Sequence, residues 1–371
     1  MPTPEAGSTL RAVELDLRSD ERWDRYVVAH PDGLVYHHSA WLRVLEREYG
    51  RRAVALAVET PDRRLCAVLP LMATRGVPGA RNGLGSGRRL ASLPRTPVAG
   101  PIGDDEASLR TVLGAAVERT PTGTRLQLKP AEASLDGLVD GLVGAPYATN
   151  YVVELPGSVE DLRFGDARNH NRIRTGVRKA RRQGLVVRGA ERLADVRAWY
   201  RLYLDTMRHH LVPARPLRLF EAIWEELRPR GMMDLLLAER DGELLAGSLL
   251  LGSGATRFYA FNGVRRSALA LRPNDLLQWH AIEAACRDGR RFYDLGEVSD
   301  GNEGLAAFKR KWGATERRLW RYYHPAPPEA AETEPVQHRR GSSARALATR
   351  AWRRVPLDAT GWAGRAMYRY L

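Results

Sequence analysis

The chain has 371 residues, 44% of them apolar, and a formal net charge of +14; it is longer than one hydrophobic core usually supports, so two domains and a tail are expected. Nowhere do about 18 apolar residues run together, the N-terminal stretch MPTPEAGSTLRAVELDLRSDER is polar and acidic, and the two cysteines, Cys66 and Cys286, lie far apart in sequence. These features argue against a membrane span, a secretory leader, a disulfide framework and a zinc site, and they predict a cytoplasmic chain with two inert core thiols.

In chain order, an amphipathic helix is expected over Ala40 to Tyr49, followed by strand-like runs at Ala53 to Glu59 and Leu65 to Ala73 with a turn at Pro61-Asp62. The stretch Gly76 to Gly103, rich in Gly, Pro and Arg, reads as a long loop crossing a sheet edge, and its GLGSG run (Gly83 to Gly87) is no dinucleotide fingerprint. A helix around Ala107 to Glu118 and a strand at Arg125 to Leu128 complete a first domain, 1–150. The second domain, 151–325, opens with a strand at Tyr151 to Leu155 and a helix over the basic block Arg168 to Arg182, which holds six Arg and one Lys without an acid. In that block Ile173, Val177 and Ala180 form a narrow apolar stripe among guanidinium groups.

Helices over Ala194 to Met207 and Pro216 to Leu227 lead into three antiparallel strands. Asp241-Gly242 marks the first tight hairpin turn, and Gly252 to Gly254 turns the chain into TRFYAF. Asn274 is the expected N-cap of the next helix, which ends near Arg287 with Gly289 as its C′ residue. FYDLG (Phe292 to Gly296) reads as a buried strand parallel to an earlier one. Gly304 to Gly313 reads as a helix with Leu305, Phe308 and Trp312 as its buried stripe, Lys309 on the margin, and Arg310 and Lys311 outward. Beyond Tyr323 the composition turns to Pro, Ala and Glu, so residues 326–371 are expected to be a linker and a basic tail. From His338 onward the tail has eight Arg against one Asp, and its segment from Trp352 either docks on the core or lies on anionic lipid.

No Walker loop, nucleophile elbow or HExxH motif is present, which argues against NTPase, α/β-hydrolase and zincin chemistry. Antiparallel strands, a helix and a further strand follow the order of the GNAT acyltransferase fold, and the expected class is α/β with mixed sheets in two tandem GNAT-like domains. There the helix N-terminus holds the pyrophosphate of acyl-CoA. The corresponding loop, Val264 to Asn274, contains no glycine, which weighs against acyl-CoA. Lys309, beside the core, can present its ammonium to a developing oxyanion, the alternative being a lysine that merely lays its stem along apolar surface. Arg174, Arg178 and Lys179 suit bidentate or point-charge phosphate contact, as on tRNA or a pyrophosphate-linked acceptor; a solvated helix face is the alternative. Asp294 and Glu297 flank a strand end where such sheets place ligands, so one can take an amine's proton, or else cap the next turn. The pairs His37-His38 and His209-His210 are read as structural or surface groups, since adjacent histidines cannot share a helix side.

The segments YAFNG, LRPNDLLQWHAIEAACRDG, FYDLG and GLAAFKRKWG, with IRTGVRKARRQGL, YHHSAWLRVLEREYG and LPLM before them, resemble the Fem family of peptidoglycan-bridge aminoacyl transferases and their polysaccharide-locus relatives. The resemblance spans about residues 35 to 325. It implies two tandem GNAT-like domains that move an amino acid from aminoacyl-tRNA, or in some relatives another acyl group, to an amine on a cell-envelope precursor. It also implies that Phe308 and Lys309 lie against the acyl-transfer centre; Tyr259, Asn262 and Asn274 are further candidates for substrate binding. No tightly bound cofactor is expected. The implied partners are tRNA, a phosphorylated or lipid-linked envelope precursor, and an anionic membrane met peripherally through the tail. Two other readings stand beside this one: an acyl-CoA-dependent N-acyltransferase acting on an amino sugar of an envelope polysaccharide, and a non-catalytic protein that binds RNA or anionic lipid.

Overall fold

A computed structural model describes residues 10–75, 88–131, 133–326, 355–357 and 359–361. The chain divides into two compact units, the first built on Met1–Tyr147 and Arg318–Glu334, the second on Ala148–Arg317 and Pro335–Arg369.

The first unit runs β1 (Arg11–Glu14), α1 (Arg22–Ala29), α2 (Ser39–Tyr49), β2 (Val54–Glu59), β3 (Leu65–Thr74), β4 (Arg88–Ala91), β5 (Ile102–Gly103), α3 (Glu106–Glu118) and β6 (Thr124–Leu128), and it takes in most of the last strand, β13 (Thr315–His324). Its sheet has the order β1-β2-β3-β4-β6-β13, with β5 on β3, and β4 and β6 pair in parallel. Nine of the ten residues of β3 are buried, as expected of a strand covered on both faces, whose sequence is then a continuous apolar run. Val112, Leu113 and Ala116 of α3 pack with Leu56, Leu69, Leu126 and Tyr322. Asp105 caps that helix by accepting from Ser108 N at 2.8 Å.

The expected loop Gly76 to Gly103 contains β4 and β5; strands of four and two residues leave no periodic signal to read. Its GLGSG run lies outside the described residues. After β4 the Pro-containing stretch Ser92 to Gly100 is almost wholly buried, which requires partners for its backbone groups. Side chains supply them: Lys129 Nζ donates to Leu93 O and, at 2.7 Å, to Thr96 O, and His37 Nε2 meets Gly100 O at 3.0 Å.

The second unit takes up β7 (Val143–Glu154) from Ala148 onward and continues through α4 (Ala167–Arg182), β8 (Val186–Gly189), α5 (Leu193–His210), α6 (Leu217–Leu227), β9 (Met233–Arg240), β10 (Glu243–Ser253), β11 (Thr256–Val264), α7 (Pro273–Arg287), β12 (Phe292–Val298) and α8 (Glu303–Lys311). The sheet order is β7-β12-β11-β10-β9-β8, with β11 and β12 parallel. Asp241 and Gly242, at φ 53° and 79°, form the left-handed two-residue turn that their sequence predicts. The next turn centres on Gly254 and Ala255, because Ser253 pairs with Thr256; Gly252 belongs to β10. Ile173, Val177 and Ala180 of α4 pack with Leu276 and Ile282 of α7 on Leu250, Tyr293 and Leu295. A separate aromatic cluster joins Tyr203, Phe220 and Phe261, and Trp199 Nε1 donates to Gly247 O at 2.9 Å.

The described part of the tail docks on α5. Arg208 Nη1 donates to Val355 O at 3.1 Å, Thr360 is 1% exposed, and a Cβ at Gly361 would stand 3.3 Å from Tyr200 Oη. The linker beyond 326 and the rest of the basic tail lie outside the described residues. No described helix is long and apolar enough to cross a membrane.

Candidate active site

The site begins where two parallel strands part. β11 and β12 pair over three positions, ending with Phe258 opposite Asp294, yet β11 continues to Val264 and β12 to Val298. Each strand bulges just past that point. In β11, Ala260 is extra between the pairs Leu250–Tyr259 and Leu249–Phe261. In β12, Leu295 and Gly296 together oppose Tyr151, between the pairs Asp294–Val152 and Glu297–Asn150. A bulge bends its strand and raises the local twist, and the carboxyl ends of parallel strands are where open α/β sheets leave a crevice. Gly296 sits at φ 83°, a conformation that glycine enters without steric cost. Its carbonyl and that of Glu297 accept from Lys309 Nζ at 2.8 and 3.1 Å.

Lys309 is 5% exposed, and its ammonium stands 5.7 Å from the Tyr151 ring centroid. Burial lowers its pKa to about 8, with Asp294 and Glu297 pulling the other way. An ammonium has three N–H donors, and two of them meet these carbonyls. Asp294 is also buried: its Oδ2 accepts from Asn150 Nδ2 at 2.7 Å and its Oδ1 from Gly296 N at 2.6 Å. Burial raises its pKa to about 6 against those two hydrogen bonds and the Lys309 charge. The turn-capping role weighed against a proton-accepting one therefore describes the hydrogen bonds that Asp294 makes. Glu297, half-buried, joins the group through its own carbonyl.

The expected stripe of α8 holds at Trp312 and is displaced by one position before it. Leu305 is 39% exposed and Phe308 half-buried, while Ala306, Lys309 and Trp312 face inward. The bulged carbonyls make room for an ammonium where the apolar pattern expects a hydrocarbon. Lys311 also turns inward, its Nζ 2.8 Å from Asp275 Oδ1 and beside the Phe308 and Trp312 rings.

Asn274 is not the N-cap of α7. Arg272, at φ 64°, caps the helix and Pro273 opens it, because a proline's fixed φ and missing N–H suit the first helical position. Asn274 Oδ1 is a buried atom without a hydrogen-bond partner among the described residues. Asp275, in the first turn and 6% exposed, receives Lys311 and, at 3.3 Å, Arg272 Nη1. The end of α7 that favours anions thus holds the chain's own carboxylate.

Tyr259 and Asn262 converge on Ser248 of β10, whose Oγ donates to Asn262 Oδ1 at 3.1 Å. Burial raises the Tyr259 phenol, and the Ser248 hydrogen bond opposes that shift. Arg174, Arg178 and Lys179 stand on the exposed face of α4, without an ion pair among the described residues and outside the Lys309 hydrogen-bond set. His37 is a core group lowered to about 4 by burial, and His38 caps α2. No cluster of His, Cys, Asp and Glu able to hold a metal occurs among the described residues. Sequence reasoning missed Asn150, Tyr151 and Gly296 as site members. A glycine inside a strand beside two carboxylates is a bulge signal; Asn150 and Tyr151 carried none.

Residues 167–310, which lie within the second unit, match the acetyltransferase (GNAT) domain family. No curated protein matches the sequence. Among solved structures, FemX superposes with a TM-score of 0.67 at 16% identity, over 84% of this chain and 96% of that one. The C-terminal domain of a protein named as a lysylphosphatidylglycerol synthetase, from Agrobacterium fabrum, gives 0.56 at 14%, over 84% and 93%. L-PGS from Bacillus licheniformis gives 0.51 at 12%, over 85% and 96%. Such identities show a shared fold, and the family match marks residues 167–310, within the second unit, as a GNAT acyltransferase domain.

Proposed function

We propose that the chain transfers an aminoacyl group from aminoacyl-tRNA to an amine of a cell-envelope precursor, with the chemistry in its second GNAT-like half. The observation that carries this reading is the buried Lys309 ammonium, held on two bulged carbonyls of β12 where β11 and β12 part. The acceptor nitrogen attacks the ester carbon, a C–N bond forms, and the carbonyl oxygen takes the negative charge opposite the remaining N–H of Lys309. Collapse breaks the C–O bond to the terminal ribose of the tRNA, whose oxygen leaves and gains a proton. Asp294 or Glu297 takes the proton that the amine loses. Phe308, half-buried beside the Lys311 ammonium, is the apolar wall, and Tyr259, Asn262 and Asn274 supply polar groups along the substrate path.

The choice of donor rests on α7, whose N-terminus is preceded by a glycine-free loop and filled by Asp275. The exposed cations Arg174, Arg178 and Lys179 fit the phosphates of a tRNA. FemX and the structures named for lysylphosphatidylglycerol synthesis support an acceptor from the cell envelope. Incubation of purified protein with charged tRNAs, and separately with acyl-CoAs, in the presence of envelope precursors tests the reading: discharge of the tRNA ester is expected. Thiol release from acyl-CoA overturns it in favour of the second reading, an acyl-CoA-dependent N-acyltransferase acting on an amino sugar, which the GNAT domain match favours.

A further inference from the structure

Of the eight large apolar side chains exposed among the described residues, three lie on two connections of the second unit, one after α5 and one after β11. Leu211 and Val212, 43% and 44% exposed, follow α5, and Leu269, 41% exposed, lies between β11 and α7. Val264 N donates to Thr206 Oγ1 at 3.0 Å, so the last turn of α5 and the end of β11 are joined just before the two loops begin. The His210 ring, whose pKa is lowered first by burial, also feels the charge of Arg266. Leu211 occupies the left-handed helix cap at φ 59°, a place where glycine or asparagine is usual, and it turns its side chain outward.

Arginines frame these aliphatics. Arg266 is exposed and has no ion pair among the described residues, whereas the nearby carboxylates are neutralised: Asp205 by Arg208 at 2.6 Å and Glu243 by Arg265 at 3.3 Å. Val355, in a C-terminal sequence that has eight Arg against one Asp from His338 onward, accepts from Arg208 of the same helix. The loops stand at the end of the sheet where β11 and β12 part.

We infer that the rim formed by Leu211, Val212, Leu269 and Arg266 docks on the surface of an anionic bilayer. Small aliphatic side chains enter the boundary between headgroups and acyl chains while the unpaired Arg266 meets the lipid phosphates. A crevice opening at the same end then faces an acceptor held in that interface. The inference adds the acceptor's phase to the proposed transfer and rests on that reading for its purpose, but docking is measurable without turnover.

Flotation of the full chain with vesicles of phosphatidylglycerol and phosphatidylcholine in equal parts, and with vesicles of phosphatidylcholine alone, provides the test. The chain is expected to float with the first and stay down with the second. The triple variant Leu211→Asp/Val212→Asp/Leu269→Asp is expected to lose flotation at least about tenfold, with an unchanged circular-dichroism melt and unchanged discharge of the aminoacyl donor to a soluble amine. Arg266→Ala lowers flotation by a smaller factor that shrinks as salt rises. Failure to float with either vesicle overturns the inference, as does a triple variant that floats like the parent chain. It is also overturned if the rim joins two copies, seen as a dimer that the triple variant splits while neither protein floats. If discharge to soluble amine is absent while flotation behaves as stated, the transfer reading fails and the docking surface stands.

Discussion

Each unit of the chain buries one lysine and holds its ammonium on backbone carbonyls. In the first unit Lys129, 5% exposed, donates to Leu93 O and Thr96 O. In the second Lys309, equally buried, donates to Gly296 O and Glu297 O. The surroundings differ. The Lys129 carbonyls belong to a buried loop in which Leu93 and Arg95 take left-handed backbone at φ 59° and 54°, so the ammonium ties down a stretch that strains against its own conformation. The Lys309 carbonyls belong to a strand bulge with a buried carboxylate, Asp294, two residues before the first of them. The same device thus stands in two settings: the first lysine holds a buried loop, and the second sits on a strand bulge where parallel strands part, the place to which we assign the transfer.

That comparison is broken most directly by removing each ammonium in turn. Lys309→Met is expected to lower single-turnover aminoacyl transfer about 10²- to 10³-fold, the usual loss for one oxyanion donor, while the thermal melt holds or rises. Undiminished transfer in that variant removes Lys309 from the chemistry. Lys129→Met is expected to do the reverse, costing roughly 2–3 kcal/mol in denaturant unfolding with transfer per folded molecule retained. A stably folded Lys129→Met protein without transfer would show that both lysines serve the reaction.

The sequence read the second unit well where a local signal existed. Asp241-Gly242 fixes its hairpin, and the short apolar run FYDLG becomes a strand parallel to an earlier one, as its length and flanking turns imply. The strands β4 and β5 were hidden in a glycine- and proline-rich stretch because four and two residues are too few to show alternation. Within the candidate site, Lys309 and Asp294 were legible as charges beside apolar runs. The group around them was not, since a bulge is a property of two strands in register: Asn150, Tyr151 and Gly296 meet only after β7 and β12 have paired. The inward turn of Lys309 and Lys311 ran against helical periodicity for the same reason, since their acceptors come from β12 and α7.

The contrast sharpens with pH. If Asp294 must be ionised and Lys309 protonated, kcat/KM rises through about 6 and falls through about 8, changing about tenfold per pH unit beyond each limb. Lys309→Arg moves the alkaline limb upward, because a guanidinium keeps its proton there; an alkaline limb unmoved in that variant assigns it to another group. The same two residues bear on stability with opposite signs. Lys309 is lowered from 10.5 to about 8, so the folded chain binds fewer protons than the unfolded one in that interval, and stability rises with pH across it. Asp294 is raised from 3.8 to about 6, so the folded chain binds more protons there, and stability falls as pH rises across that window. Their joint contribution is therefore least favourable between about 6 and 8, the range in which both groups are charged.

The smallest expected effect concerns cations that lie outside both lysine sites. Arg174, Arg178 and Lys179 are exposed and without ion pairs among the described residues, so neutralising all three should leave the melt within about 0.5 kcal/mol of the parent. Binding of a charged tRNA should weaken a few-fold at physiological salt, and the slope of log affinity against log salt should flatten by about 2 if each cation displaces one counterion from a single strand. An unchanged slope assigns the tRNA to another surface and leaves α4 a solvated helix. A flattened slope with no change in the maximal rate separates where the donor is held from where its ester is broken, because these side chains take no part in the Lys309 hydrogen bonds.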